Sequence, residues 1–222
     1  MNAGQDRTSE LYDLWAQQYP PIPHNPLMRA EQAAMLAEWP DISGGIALDL
    51  ASGTGRYAQL LIDSAAAHVF AVDISAAMLA RAQAGFRVRA SMTRLPFASG
   101  VFNAVISGLA VGHAPDLTEW MTETARVLAP GGVLLFSDFH PSAARAGMTR
   151  TFKDLSGSIH TLPHHTYGVA AHRQAATAAH LTIESVREVR IGYELHEQFD
   201  GSDEVYRRWH GLAMVLVIRA RR

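Results

Sequence analysis

The chain predicts an α/β fold built on a doubly wound, mostly parallel sheet. Three observations carry that expectation. Short apolar runs alternate with helical patterns from Ile46 onward. The first run ends in a glycine-bearing turn, Asp49-Leu50-Ala51-Ser52-Gly53-Thr54-Gly55. The fifth run, residues 133–137, is nearly all apolar, as in a strand covered on both faces. Repeated strand–helix alternation of this kind implies a parallel sheet with helices on both sides.

The elements follow in order. Residues 1–7 are polar and expected to fray. Residues 8–19 read as a helix capped by Ser9, with Leu11, Leu14, Trp15 and Tyr19 at helical spacing. The run Pro20-Pro21-Ile22-Pro23-His24-Asn25-Pro26 forbids regular structure. Residues 27–39 resume a helix that residues 40–45 break. Strand one is 46–50 and its helix 56–66; strand two is 69–72. Ser75 caps a helix over 76–84. Strands three and four are 86–89 and 101–107. A helix over 117–128 is stopped by Pro130-Gly131-Gly132, and strand five follows. Periodicity is lost from 141 to 166, an insertion too long for an ordinary connection and placed after a strand's carboxyl end. A helix over 167–179 precedes strands at 181–191 and 212–220, separated by a polar segment, 194–208. Two late strands with no helix between them imply an antiparallel edge. The expected whole is one domain of seven strands, with an N-terminal helical lid over 1–40 and a second lid over 141–166.

Bulk composition narrows the function. The 222 residues are 48% apolar and 18% charged, as in a soluble globular protein. The net charge of −2 supplies no basic field for a nucleic-acid backbone. Cysteine is absent, which removes disulfides, thiolate metal sites and cysteine nucleophiles. No signal-like or membrane-spanning apolar stretch is found, so a cytoplasmic location is expected. No histidine or carboxylate spacing suggests a metal.

The glycine turn has a physical purpose. Glycine adopts positive φ and lets backbone approach a ligand where a Cβ would clash, and the amides opening the next helix point at a polar group. Twenty residues after Gly53 comes Asp73, ending the run Val69-Phe70-Ala71-Val72. A carboxylate at the tip of the second strand can accept two hydrogen bonds from a ribose diol. Together these features imply a ribose-bearing cofactor. Gly53-x-Gly55-x-x-Ala58 also fits the dinucleotide fingerprint, so the glycines leave NAD open.

Four blocks in order resemble the class I S-adenosylmethionine-dependent methyltransferases, specifically the small-molecule methyltransferase 11 or UbiE-like group. They are the turn at Asp49–Gly55, with Ala51 where the family has its first glycine; Val72-Asp73-Ile74-Ser75; Leu95-Pro96-Phe97 before Phe102-Asn103-Ala104-Val105; and Arg126-Val127-Leu128-Ala129-Pro130-Gly131-Gly132. The resemblance implies a Rossmann-like fold and S-adenosyl-L-methionine as cofactor, with S-adenosyl-L-homocysteine as product. It implies cofactor contacts from Asp49, Ala51, Ser52, Gly53, Gly55, Asp73, Ile74 and Met78. Ser91 stands where the family often has an aspartate facing the adenine amino group, and with Met92 and Thr93, which follow it, is expected to contact the cofactor through backbone and hydroxyl groups. Ser107, the last residue of strand four, is likewise expected to contact the cofactor. Tyr12 and Tyr19 match lid hydroxyls that reach the cofactor's carboxylate.

Methyl transfer to oxygen or nitrogen can need a base, and histidine is the usual choice near neutral pH. His140, after strand five, and His113, just past strand four, are the candidates. His160, His164 and His165 lie in the insertion; His68, His172 and His180 read as surface or helix residues. The expected activity is methyl transfer to a small organic acceptor, O- or N-directed, by a monomer or homodimer with no nucleic-acid or membrane partner. One alternative is an NAD(P)-dependent reductase, although Thr149 stands where a tyrosine paired with Lys153, the chain's one lysine, would be needed. The other is a catalytically silent module that binds the cofactor.

Overall fold

A computed structural model describes residues 3–192 and 203–222. Its centre is a seven-stranded sheet of β1 (Ile46–Leu50), β2 (His68–Asp73), β3 (Phe86–Arg89), β4 (Phe102–Ser107), β5 (Leu128–Phe139), β8 (Thr182–Arg190) and β9 (Ala213–Arg221), in the order β3-β2-β1-β4-β5-β9-β8. The pairs from β3 through β5 are parallel, and β5–β9 and β9–β8 are antiparallel. This is the architecture that the alternation predicts. The order reverses direction beside β1, between β2 and β4, and ligands bind at such a switch point beyond the strands' carboxyl ends.

Period-two alternation divides the core. Leu48 and Leu50 of β1 face one cluster with Trp120 and Met121 of α5 (Leu117–Val127), while Ala47 faces another with Ala58 and Leu61 of α3 (Arg56–Asp63). Asp116 caps α5, accepting from the N–H groups of Thr118 and Glu119. Arg126 at its end binds the Phe97 carbonyl at 2.7 Å and Glu123 at 2.8 Å, tying the Leu95-Pro96-Phe97 block to the corner before β5.

Several boundaries differ from expectation. Helix α1 spans Ala3–Trp15, so residues 3–7, expected to fray, are helical. Ser9 lies inside α1 rather than capping it, and its hydroxyl donates to the Ile74 carbonyl at 3.3 Å. Helix α2 (Pro26–Leu36) is capped by Asn25, which accepts from the Met28 N–H. Ser75 caps α4 (Ala76–Arg81) as its position predicts. β5 begins at Leu128, ahead of the Pro-Gly-Gly run, because Leu128 already pairs with Phe102. The insertion is ordered into α6 (Pro141–Arg145) and a hairpin of β6 (Thr151–Lys153) and β7 (Ile159–Thr161) before α7 (Val169–Ala178). Such a short hairpin, with three-residue strands, leaves too few positions for a period to show. Of the expected polar segment 194–208, residues 194–202 lie outside the described residues; Asp203–Trp209 forms α8.

Candidate functional site

A cavity of about 510 Å³ opens at the switch point. Its floor is the turn after β1. Ala51 and Gly53 adopt φ of 56° and 54°, and the Ser52 N–H donates to the Val72 carbonyl at 2.9 Å, tying this turn to β2. A Cβ added at Gly53 would meet no atom within 4 Å, so the turn presents bare backbone to the cavity. Gly55, also at positive φ, begins α3 but does not line the cavity. A Cβ there would lie 3.0 Å from that of Ala82, so this glycine lets α3 approach the end of α4.

Asp73 is buried at the tip of β2. Its Oδ2 accepts the Gly53 N–H at 2.8 Å and its Oδ1 accepts the Ser75 N–H at 2.8 Å. Two amides therefore fix the carboxylate against the glycine turn, and each oxygen retains a lone pair. Burial raises its pKa, against the pull of the Ser75, Gly53 and Ile74 amides. Apolar walls from Ile74, Met78, Ala90 and Met92 stand beside it with Ser91. Thr93 does not line the cavity; it closes the Ser91 turn, its N–H donating to the Ser91 hydroxyl at 3.3 Å. Ser107 is buried under the floor, and Gly108 beside it lines the cavity instead.

Asp49 is fully buried and its Oδ2 accepts the Ala58 N–H at 2.7 Å. Burial pushes its carboxyl up to about 7, while the Ala58 amide and the Arg56 guanidinium pull downward. With a folded pKa above the unfolded one, the folded chain keeps a proton that the unfolded chain sheds above about pH 4. The stability linked to this group is therefore complete at low pH and lost as pH rises through about 7. Asp49→Asn is expected to flatten this decline. Urea unfolding at pH 4.5 and pH 8 measures it, and an undiminished difference in the variant would mean that Asp49 is ionised throughout.

The roof comes from α1 and the insertion. Asp13 accepts from the Ser75 hydroxyl at 2.5 Å and the Ala77 N–H at 3.1 Å, and Arg81 donates to the Ala16 carbonyl, which pins α1 to α4. Trp15 stacks on Phe152 of β6 at 4.8 Å and Gln18 reaches the Lys153 carbonyl, joining the two roof segments. Tyr12, Trp15 and Tyr19 face the cavity. Burial pushes the Tyr19 phenol up to about 12 and raises that of Tyr12.

The two candidate bases part company. His113 lines the cavity with both ring nitrogens engaged: Nδ1 lies 3.0 Å from the Pro163 carbonyl, and Nε2 lies 2.8 Å from the Tyr12 hydroxyl and 3.3 Å from an Arg150 nitrogen. A carbonyl partner requires Nδ1 to carry the proton, so Nε2 is the acceptor. Burial, reinforced by Arg150, pulls its pKa down to about 3. His140, proposed from sequence as a base, does not line the cavity. It caps α6, its Nδ1 accepting the Ser142 N–H at 3.0 Å, and its Nε2 lies 3.5 Å from Glu188. Being followed by a proline that starts a helix turned this residue into a cap. His140→Ala is expected to leave methyl transfer unchanged and to cost about 1 kcal/mol of stability. A rate assay beside a thermal melt checks both, and a slowed reaction at unchanged stability would restore it as a base.

Sequence reasoning missed two buried charged or titratable groups, Glu31 and His172, and one cavity residue, Arg150. Glu31, fully buried on α2, pairs with Arg56 at 2.9 Å and accepts from the Tyr57 hydroxyl at 2.7 Å and the Ser137 hydroxyl at 2.5 Å. The signal was its spacing, since Met28, Glu31 and Met35 share the buried face of α2. Arg150, in the insertion, donates to the Leu109 carbonyl at 2.7 Å; no periodicity marks it. His172, expected on a surface or helix, is on α7 but fully buried, 3.4 Å from Asp138.

Comparisons with known proteins agree with this geometry. Residues 48–136 match the methyltransferase domain family. A demethylmenaquinone methyltransferase of Mycolicibacterium paratuberculosis is 30% identical over 167 residues, which cover 74% of this chain and 70% of that protein. The chain belongs to the methyltransferase domain family. A second methyltransferase, the malonyl-[acyl-carrier protein] O-methyltransferase of Enterobacter lignolyticus, is 36% identical over 118 residues, 51% of this chain. The chain spans about half of that relative's length, 47%. A crystal structure of an S-adenosylmethionine-dependent methyltransferase from Mesorhizobium loti shares the fold, with a TM-score of 0.69 at 24% identity, covering 87% of this chain and 98% of that one. The matched residues of this methyltransferase domain carry Asp49, the glycine turn, Asp73 and the Arg126 corner. Among the described residues no helix is long and apolar enough to cross a membrane.

Proposed function

We propose that the chain binds S-adenosyl-L-methionine in this cavity and transfers its methyl group to a small organic acceptor at oxygen or nitrogen. One observation carries the reading: a buried carboxylate, Asp73, is held by the Gly53 and Ser75 amides beside a turn of bare backbone. Its remaining lone pairs suit the two hydroxyls of a ribose. The cavity fits the rest of the cofactor. Ile74, Met78, Ala90 and Met92 offer apolar walls for an adenine. The Ser52 hydroxyl, on the cavity floor, is buried without a partner among the described residues, and a bound polar ligand would satisfy it. Tyr12 and Tyr19 are the roof groups that would meet the amino-acid end.

The cofactor supplies an electrophilic methyl on sulfonium. The chain's own residues align the acceptor and exclude water, which α1 and the β6–β7 hairpin do by meeting over the cavity. Relatives named for demethylmenaquinone and for malonyl-[acyl-carrier protein] support a small organic group as acceptor. The domain reading is one catalytic unit roofed by residues 1–40 and 141–166. Calorimetry with S-adenosylhomocysteine and with NADH tests the proposal. Micromolar binding of the former alone is expected, and binding of NADH alone would overturn it.

A further inference from the structure

We infer that the acceptor is an amphipathic acid whose oxyanion is held by Arg150. This inference rests on the methyl-transfer reading above. Four ionisable side chains able to carry full charge near neutral pH line the cavity: Asp49, Arg56, Asp73 and Arg150. The first three have protein partners. Asp49 is bound by the Ala58 amide, Arg56 is paired with Glu31, and Asp73 is held by two amides. Arg150 differs. Its Nη1 donates to the Leu109 carbonyl and faces His113, and among the described residues no carboxylate pairs with it. A guanidinium offers five donors in a planar fork suited to a carboxylate, so most of that fork is open to a ligand.

The surroundings of Arg150 give the rest of the ligand. Phe139, Met148, Leu162, Met214 and Leu109 line the same cavity, which suits an apolar body behind a charged head.

Independently, among the described residues no histidine with a free ring nitrogen lines the cavity. Among the described histidines only His113 lines it, and both of its nitrogens are engaged. An oxyanion has no proton to lose. Transfer to it balances without a base: a C–O bond forms, the C–S bond breaks with its electron pair left on sulfur, and oppositely charged reactants become a neutral ester or ether and a neutral thioether. Arg150 then holds the acceptor only while it is charged, which favours product release.

The test uses the full chain saturated with S-adenosylhomocysteine, titrated with benzoate and hexanoate and with their neutral counterparts benzamide and hexanamide, followed by ligand-observed magnetic resonance. At least one acid is expected to bind at least tenfold tighter than its amide. Arg150→Gln should abolish that preference while S-adenosylhomocysteine affinity stays within about twofold, and Arg150→Lys should retain part of it. Equal binding of acids and amides, or no acid binding up to millimolar concentration, overturns the inference. So does a large loss of S-adenosylhomocysteine affinity in folded Arg150→Gln, which would assign the guanidinium to the cofactor's own carboxylate. Failure of the parent chain to bind S-adenosylhomocysteine is a separate result, and it would sink the methyl-transfer reading itself.

Discussion

Asp73→Ala is expected to weaken S-adenosylhomocysteine binding by about 10- to 150-fold, the equivalent of about 1.5–3 kcal/mol for hydrogen bonds to a charged group. The loss has two sources. The ribose hydroxyls lose their acceptors, and the Gly53 and Ser75 amides that Asp73 satisfies at 2.8 Å are released. The second source also relaxes the glycine turn, so some thermal stability should go with the affinity. Asp73→Asn separates the two. It keeps the volume, but its amide nitrogen is a donor and must face one of those N–H groups or the ribose. Calorimetry on folded variants reads the effect, and an affinity within twofold of the parent in Asp73→Ala would remove the ribose assignment.

Glu31→Ala is expected to cost about 3–5 kcal/mol of folding stability, because it leaves a buried cation without its counter-charge. Arg56 is only 10% exposed at its side chain and Glu31 not at all, so water does little to replace the lost partner. The Tyr57 and Ser137 hydroxyls lose their shared acceptor as well. Against a typical domain stability of about 5–15 kcal/mol, this is a large share. Converting Arg56 to methionine in the same chain should recover part of the loss, since the uncompensated charge is then gone. Urea unfolding of the single and double variants measures the coupling. A single variant as stable as the parent would show that the pair contributes nothing. The site would feel the change too, because Ser137 accepts from the Leu109 N–H at 2.8 Å and Tyr57 packs directly against Gly108 on the cavity floor.

The glycine turn, the two strand-tip aspartates and the β-branched and leucine-rich runs were legible because each is a local signal. A tight turn needs residues that accept positive φ, and a strand covered on both faces reads as continuous apolar sequence. Ala51 departs from the family's glycine, and the chain nevertheless holds it at φ 56°. The boundaries that slipped are those set by partners. Leu128 became strand rather than helix end because Phe102 was there to pair with it. Ser9 left its capping role because α1 continues N-terminally and Ile74 offers its hydroxyl a carbonyl.

The candidate site divides in the same way. Asp49, Gly53, Asp73, Ile74 and Met78 come to the cavity from two adjacent strands and the turns and helix that follow them, and their placement follows from strand order. His140 and His113 both follow strands and looked alike in sequence. Only the fold shows that one caps a helix and the other meets Tyr12 across 101 residues of chain.

By itself the sequence determined the sheet's class, the glycine turn with its strand-tip aspartates, and the family, because these rest on short-range patterns of apolar period, glycine and aspartate. The tertiary structure decided which polar residues face the cavity and which charges are neutralised within the protein. Glu31 reaches Ser137, 106 residues away, and Arg150 approaches Leu109 from a segment without periodicity. Neutralisation of a charge depends on what stands within a few ångströms of it in space, and contacts between residues so distant in sequence exist only once the chain has closed around them.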